Sequence, residues 1–281
     1  MDNETKIVVS VTTIPPRFND LGLTLKSILD QSRRPDSIEV TVPRSYRRFP
    51  QHEFRSPEVP EGVEIVVTDE DLGPASKVLP CARRYRGQNV RIIYCDDDRA
   101  APRDWLESLL SKTREHPEKA IVASGGNLDR LLGRQLASPE PRAVRQPHRT
   151  NLLYRLERIE QGMKNLLTGQ RLPKPARRLY RKDGYVHIAC GLGGVSVAPD
   201  FFDDESYTIP NVIWAVDDIW LSGSLERRGI RIWADSNCRV PVEHQGGNYD
   251  ALFKSIIEDA DRHEANAACV RYMQEKYGIW S

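Results

Sequence analysis

An apolar run that ends in three consecutive carboxylates constrains this chain most. Residues 92–95 are Ile-Ile-Tyr-Cys, and Asp96, Asp97 and Asp98 follow directly. Like charges at this spacing repel one another, and an ionised carboxylate is costly to bury without a partner. A hard divalent metal ion with oxygen ligands resolves that repulsion and commonly carries substrate phosphates. The run predicts either a metal site for a nucleotide diphosphate or a solvated acidic turn after a strand, and both interpretations stay open on this motif alone.

Length and composition exclude several classes. The 281 residues are enough for one large α/β domain or two small ones. The net charge of +1 gives no bulk electrostatic attraction to nucleic acid. Five scattered cysteines without a CxxC pair favour a reducing compartment over a disulfide framework or a zinc site. The polar start lacks a signal peptide, and no apolar run approaches the roughly 20 residues that cross a bilayer. We therefore expect a cytoplasmic protein, with attachment to the inner membrane surface left open.

Strand-like apolar runs alternate with helical periodicity in the first half of the chain. The runs are residues 7–12, 38–42, 63–67, 90–95 and 120–124. This alternation predicts a largely parallel sheet covered by helices. Ligands of such sheets bind beyond the carboxyl ends of the strands, so polar residues there are expected to share one crevice. These polar residues are Thr12 and Thr13, Asp69 to Asp71, and Asp96 to Asp98.

The second half shows the same kinds of element in a different order. Residues 188–197 predict a strand interrupted by glycines, and residues 216–228 predict a helix. A short strand is expected at 231–234 and a terminal helix at 256–277.

Residues 130–183 differ from the rest of the chain because they are proline-rich, basic and poor in strand pattern. Within them, apolar residues between 152 and 167 fit a helical stripe. A basic amphipathic helix can lie on an anionic membrane, so residues 142–182 are candidates for peripheral membrane contact. The alternative is an excursion whose apolar stripe packs on its own domain or on a second subunit.

Three further clusters and one histidine carry candidate chemistry, each with a plain structural alternative. Residues 71–77 predict a turn and a helix start where Lys77 reaches a phosphate, or simply a capped helix. Glycines 191–194 indicate close approach of a ligand, or a bulge. Asp217 and Asp218 open an apolar helix, as a general base would, although acids also favour any first helical turn. His244 is either a metal ligand or a structural histidine.

Together these motifs resemble the GT-A glycosyltransferases over roughly residues 7–247. The motifs that carry the resemblance are the opening at 12–18, the acidic triplet at 96–98, Gly-Leu-Gly-Gly at 191–194 and Val-Asp-Asp-Ile at 216–219. Their order also fits that class, with a nucleotide half first, a metal motif centrally and an acceptor half last.

The resemblance implies a single catalytic domain of GT-A type, with a Rossmann-like, open twisted mixed sheet flanked by helices. Its nucleotide-binding half would span about 1–125, the basic excursion 130–183, the acceptor-binding half 184–250 and a C-terminal helix 251–281. It also implies a nucleotide-sugar donor, most often a UDP-sugar, together with Mn²⁺ or Mg²⁺. The acceptor would be a glycan or glycolipid, as in polysaccharide biosynthesis.

The resemblance further implies roles for individual residues. Asp98, Asp96 and His244 would bind the metal, and Asp218 would be the general base, supported by Asp217. The Arg-Trp pair that inverting members carry after this helix is not evident here, and the stereochemical outcome stays open. The remaining donor contacts would come from Thr13, Arg17, Asp71, Lys77, Asp96, Asp97, Gly193 and Gly194.

Other functions compete with this interpretation. A nucleotidyltransferase would carry a glycine-rich basic loop after the first strand, where this chain has residues 13–17 without a glycine. A phosphohydrolase would place its nucleophilic aspartate at the first strand, where none exists. A catalytically inactive module that binds sugar nucleotides or membranes is the third alternative.

Overall fold

A mixed β-sheet forms the centre of the protein in the computed structural model, which describes residues 5–169, 174–244 and 262–281. The strands are β1 (Lys6–Thr12), β2 (Ser37–Pro43), β3 (Val63–Thr68), β4 (Val90–Tyr94), β5 (Arg99–Ala100), β6 (Ala120–Val122), β7 (Gly125–Gly126), β8 (Val144–Arg145), β9 (Arg177–Arg178), β10 (Tyr180–Lys182), β11 (Gly184–Tyr185), β12 (Ile188–Ala189), β13 (Val195–Val197), β14 (Ile232–Ala234), β15 (Arg239–Val240) and β16 (Val242–Glu243). The helices are α1 (Leu21–Leu29), α2 (Leu79–Arg84), α3 (Trp105–Glu115), α4 (Asp129–Leu132), α5 (Leu152–Thr168), α6 (Asp217–Arg227) and α7 (Arg262–Tyr277).

The main sheet has eight strands in the described part of the chain, in the order β11-β14-β6-β13-β4-β1-β2-β3. The strands β4, β1, β2 and β3 run parallel, and β6 and β14 form a second parallel pair. Strand β13 lies antiparallel between β4 and β6 and so joins the two parallel parts. The predicted α/β class, with a mixed sheet flanked by helices, is confirmed.

Helices cover both faces of this sheet because the central strands are apolar on both sides. In β1, Val8 points into one core and Val9 into the other. The first core is completed by residues of α2, α6 and α7, including the fully buried Trp220. The second is completed by α1 and α3, including Trp105. Burial on both faces is typical of parallel strands. Because the two cores share one sheet, the described residues form a single domain.

Two predicted elements differ in their bounds. The helix start expected within residues 71–77 is a 3₁₀ helix, Gly73–Lys77, and the short helix α2, which has Pro80 in its first turn, follows it. Proline is favoured at a helix start because it has no N–H to donate, so Pro80 sets the beginning of α2. The terminal helix begins at Arg262 within the described residues, and residues 256–261 lie outside them.

Helix α5 confirms the helical stripe but not its packing on the domain. Its apolar side chains are more than half exposed, from 57% for Met163 to 86% for Leu166. The expectation that this stripe packs on its own domain is therefore wrong for the exposed residues. Within the described ranges, none of the helices combines the length and apolar character needed to cross a bilayer.

Candidate active site

A cavity of about 320 Å³ opens at the edge of the sheet where β1 to β4 end. Because these strands are parallel, their carboxyl ends lie side by side, and the loops after them supply the walls. The lining residues that the structure describes are Thr12, Thr13, Ile14, Arg17, Pro43, Tyr46, Arg48, Phe49, Asp71, Gly73, Pro74, Lys77, Asp96, Asp97, Asp98, Arg99, Leu192, Trp214, Asp217, Asp218 and Glu243. The structure thus brings most of the predicted polar residues into one crevice. Asp69 and Glu70 are the exceptions, since both are exposed and pair outside the cavity, with Arg44 and Arg83 respectively.

Asp97 is held by the loop that follows β1. Thr13 Oγ1 donates a hydrogen bond to one carboxylate oxygen at 2.6 Å, and Arg17 Nη1 donates to the other at 2.6 Å. The hydroxyl of Thr24 on α1 donates to the main-chain carbonyl of Asp97 at 2.7 Å. Thr13 and Arg17 therefore lie against the acidic triplet, and the nucleotide contact expected of them remains a prediction.

Lys77 joins the acidic triplet to the acids that begin α6. Its Nζ lies 2.6 Å from Asp96 Oδ1, 2.6 Å from Asp217 Oδ2 and 3.9 Å from Asp218 Oδ1. Burial lowers the pKa of Lys77, but the carboxylates, Asp217 first and then Asp96, outweigh burial and raise its pKa well above the ordinary value. Burial also disfavours the charged form of Asp96, yet the Lys77 ammonium outweighs it and lowers the pKa of Asp96. Lys77 is thus a permanent positive charge whose donors face carboxylates.

Gly191 makes this close arrangement possible. A Cβ atom at this position would lie 2.2 Å from Lys77 Nζ and 2.6 Å from Asp96 Oδ1, closer than atoms can pack. The main-chain N–H of Gly191 donates to Asp218 Oδ1 at 3.0 Å. The sequence marks Gly191 only as the first residue of the glycine cluster and assigns it no role of its own.

Gly193 and Gly194 are explained by packing within the protein. A Cβ at Gly193 would meet Ser124 at 2.5 Å, and one at Gly194 would meet the ring of Trp105 at 2.3 Å. Gly194 also has a φ of +85°, a conformation that favours glycine. Neither residue is among the described residues that line the cavity. The donor contact expected of Gly193 and Gly194 stays a prediction, and their positions do not support it.

Asp218 has the electrostatic character of a proton-transfer group. Burial, followed by the charge of Asp217, raises its pKa to about 7. Its carboxylate lines the cavity at the start of α6. A carboxyl group with a pKa near neutrality takes up and releases protons at neutral pH, which suits a general base.

Asp98 is the least compensated member of the triplet. Among the residues that the structure describes, its Oδ1 is buried without a hydrogen-bond partner, and the cations beside it are Arg17 at 3.3 Å from Oδ2 and Arg99 at 3.4 Å from Oδ1. Burial, followed by the charges of Asp96 and Asp97, raises the pKa of Asp98 to about 6. An unsatisfied carboxylate oxygen beside other carboxylates is a suitable ligand for a hard divalent cation.

His244 lies next to Asp98 in space. Strand β16 pairs with β5, and the His244 main-chain N–H donates to the Asp98 carbonyl at 3.1 Å. Burial lowers the pKa of His244, which keeps the imidazole neutral as a metal ligand requires. In this arrangement its Nε2 lies 2.9 Å from Thr24 Oγ1. The glycine pair after His244, at 246 and 247, lies outside the described residues.

The side chains as placed do not form a complete metal cage. Across residues 5–169, 174–244 and 262–281, no group of three or more His, Cys, Asp or Glu side chains is arranged to hold a metal ion. Mg²⁺ commonly takes one or two protein carboxylates and fills its remaining positions with water and substrate phosphates. The unsatisfied oxygen of Asp98 fits an ion held in that way, together with a phosphate-bearing ligand.

Aromatic residues form the other wall of the cavity. The Tyr46 hydroxyl donates to the Thr13 carbonyl at 3.2 Å, and Phe49 packs edge-on against Tyr46. The indole N–H of Trp214 donates to the Asp71 carbonyl at 3.0 Å. The carboxylate of Asp71 accepts from the main-chain N–H groups of Arg47 and Gly73 and so fixes the loop after β3. These aromatic residues were missed in the sequence because they lie on loops without a recognised motif.

The site therefore belongs to an α/β protein with an acidic, aromatic-walled cavity at the carboxyl ends of its parallel strands. No protein-family model matches the chain, and no curated protein matches it. Solved structures do match. The chain is similar to residues 1–349 of S. aureus TarS with a TM-score of 0.45 and 10% identity, over 97% of this chain and 72% of that one. A likeness of this extent assigns neither a family nor an activity, so function has to be inferred from the site.

Proposed function

We propose that this protein is a glycosyltransferase that moves a sugar from a nucleotide-sugar donor, preferentially a UDP-sugar, to a glycan or glycolipid acceptor. One observation carries the proposal: the Asp96–Asp98 triplet and the Asp217–Asp218 pair line the same cavity and are joined through Lys77. A group-transfer site needs a place for the anionic leaving group and a base for the incoming hydroxyl. The two acidic clusters supply these two functions within one pocket.

The triplet is the proposed binding site for the donor diphosphate. Asp98, with Asp96 and His244, would hold Mn²⁺ or Mg²⁺, and the bound ion would compensate the negative charge of the diphosphate. Arg17 neutralises Asp97, and Lys77 neutralises Asp96, so the local repulsion that remains is concentrated on Asp98. The aromatic wall formed by Tyr46, Phe49 and Trp214 offers flat surfaces on which a base or sugar can stack.

Asp218 is the proposed general base if the reaction inverts the anomeric centre. Its carboxylate accepts the proton of the acceptor hydroxyl while that oxygen forms a bond to the anomeric carbon. The bond between this carbon and the phosphate oxygen breaks, and the nucleoside diphosphate leaves with the electron pair. In a retaining reaction the same carboxylate would instead stabilise positive charge on the sugar ring.

The proposal is tested by thermal unfolding with UDP, Mn²⁺ and both together. We expect UDP and Mn²⁺ together to raise the unfolding temperature by more than the sum of their separate shifts, because the ion and the diphosphate complete one another's coordination. A screen of UDP-, GDP- and TDP-sugars for metal-dependent turnover then identifies the donor. Stabilisation by a nucleoside triphosphate alone would support a nucleotidyltransferase instead, and a response to none of these ligands would contradict nucleotide binding altogether.

A further inference from the structure

Helix α5 exposes a continuous apolar face. Of the nine large apolar side chains that are exposed in the described residues, six belong to this helix. At about 100° per residue they fall within a single stripe along the helix. They are Leu152, Leu156, Ile159, Met163, Leu166 and Leu167. Scattered exposed apolar residues are ordinary, whereas a contiguous stripe marks a surface that binds something.

The opposite, polar face of α5 is the one turned toward the protein. Gln161 is buried, with 7% exposure, and Tyr154, Glu157 and Asn165 are half-buried. Amphipathic helices of soluble domains normally bury the apolar face and expose the polar one. Within the described part of the chain, the reversed orientation of α5 leaves its apolar face exposed.

The charge around α5 identifies the chemistry of that surface. Residues 142–182 contain twelve Lys and Arg against two Glu, a net charge of +10 in a chain whose total is +1. The remaining residues therefore carry a net charge of −9. Several of the basic residues in this segment are exposed, namely Arg149, Arg155, Lys174, Arg178, Arg181 and Lys182. Strong positive charge next to an exposed apolar stripe matches an anionic lipid surface, where both features find partners.

We propose that α5 docks on an anionic phospholipid bilayer, with its apolar face at the acyl boundary and the surrounding basic residues against the lipid phosphates. A second copy of the chain fits this face poorly. Two-fold pairing through α5 would bring two segments of charge +10 together. Nucleic acid would match the basic residues but leave the apolar stripe exposed.

The test is flotation of the full chain with phosphatidylcholine vesicles that contain or lack phosphatidylglycerol. We expect binding to the anionic vesicles alone, and weaker binding as salt is raised. The double variant Leu156→Glu/Met163→Glu should lower the partition coefficient on the order of 100-fold, since two apolar anchors are lost. Leu23→Glu on α1 is the matched control, because Leu23 is also exposed, and it should bind like the parent. Circular dichroism should show both variants folded.

Three results would overturn the proposal. The first is a parent chain that does not float with anionic vesicles, and the second is equal flotation with neutral ones. The third is a parent dimer in sedimentation equilibrium that the double variant converts to monomer, which would assign the face to a second copy. None of these measurements uses donor turnover, so the result is independent of the proposed transferase activity.

Discussion

At the scale of single residues, three adjacent aspartates have three different environments. Asp96 pairs with Lys77, Asp97 is held by Thr13 and Arg17, and one oxygen of Asp98 has no hydrogen bond to any residue that the structure describes. The same side chain therefore has different chemistry at successive positions, because neighbours decide which charges are compensated. Asp98 is the member of the triplet whose ionisation destabilises the fold, because burial and the charges of Asp96 and Asp97 raise its pKa to about 6.

We expect Asp98→Asn to abolish metal-dependent turnover and also to stabilise the fold at pH 8. The pKa of Asp98 is raised from 3.8 to about 6 in the folded protein, so the folded state holds this proton more tightly than the unfolded state. Ionisation of Asp98 therefore costs stability progressively between about pH 4 and pH 6, and the cost is complete above that range. Removing the charge should raise the free energy of unfolding by about 1–3 kcal/mol, or the unfolding temperature by several degrees.

The gain in unfolding temperature should shrink as the pH is lowered from 6 toward 4, since Asp98 is then neutral in the parent as well. Asp69→Asn is a suitable control because Asp69 is exposed and lies outside the cavity. A variant Asp98→Asn that is less stable than the parent at pH 8 would contradict this account, because it would mean that Asp98 stabilises the fold as an ion-pair partner.

The pH dependence of turnover is the second expectation at this scale. Asp218, with a pKa near 7, must be deprotonated to accept a proton, so kcat/KM should rise with pH through about 7 and then level off. Asp218→Asn should lower kcat about 100- to 10,000-fold with little change in donor affinity, and should remove the rise. If kcat/KM of this variant still rises near pH 7, the rise in the parent comes from a group other than Asp218.

At the scale of elements, the sequence predicts what depends on local pattern. The strands β1 to β4 and the helix α6 are where apolar periodicity places them, and the parallel alternation predicts the shared edge at which Thr13, Asp71 and Asp98 meet. The insertion of β13 antiparallel between β4 and β6 was not predictable in this way. It depends on pairing with segments that lie 73 to 105 residues earlier in the chain, and a three-residue strand carries too little pattern to show its partners.

The contact between the glycine cluster and Lys77 was missed for the same reason. Position 191 has to be glycine because the side chain of Lys77, from another element, occupies the space that a Cβ would need. The pattern of residues 188–197 gives no sign of that contact. The acids, by contrast, were recognisable as candidates because charge at the end of an apolar run is unusual in any fold. The pairing of these acids with Lys77 and Arg17 depends on how the loops fold, so it is visible only in the structure.

We expect Gly191→Ala to weaken both the fold and the site. The added methyl group cannot be accommodated without moving the Lys77 ammonium or the main chain, which should lower the free energy of unfolding by about 1–3 kcal/mol. Displacement of Lys77 would leave Asp96 and Asp217 uncompensated and so raise the apparent pKa seen in kcat/KM. Gly22→Ala on α1 is the matched control, since a Cβ there has open space and alanine favours helix. An unchanged pH profile in Gly191→Ala would contradict the proposed link through Lys77.

At the scale of the whole molecule, the sheet domain and the basic excursion are nearly separate in composition and packing. The exposed stripe of α5 contributes to neither of the two cores. The two ends of the excursion lie side by side, because β8 pairs with β10 and the Gln146 N–H donates to the Leu179 carbonyl at 2.7 Å. A segment whose ends already meet can be shortened at small cost in loop closure.

We therefore expect that residues 149–175 can be replaced by a short Gly/Ser linker without loss of the fold. The unfolding temperature should stay within a few degrees of the parent, because few apolar contacts to the cores are removed. The combined stabilisation by UDP and Mn²⁺ should persist, since every described residue that lines the cavity is retained. Flotation with anionic vesicles should be lost, because the apolar stripe and several basic residues are gone. A shortened chain that no longer responds to UDP and Mn²⁺ while remaining folded would show that the excursion takes part in donor binding and is not only a docking element.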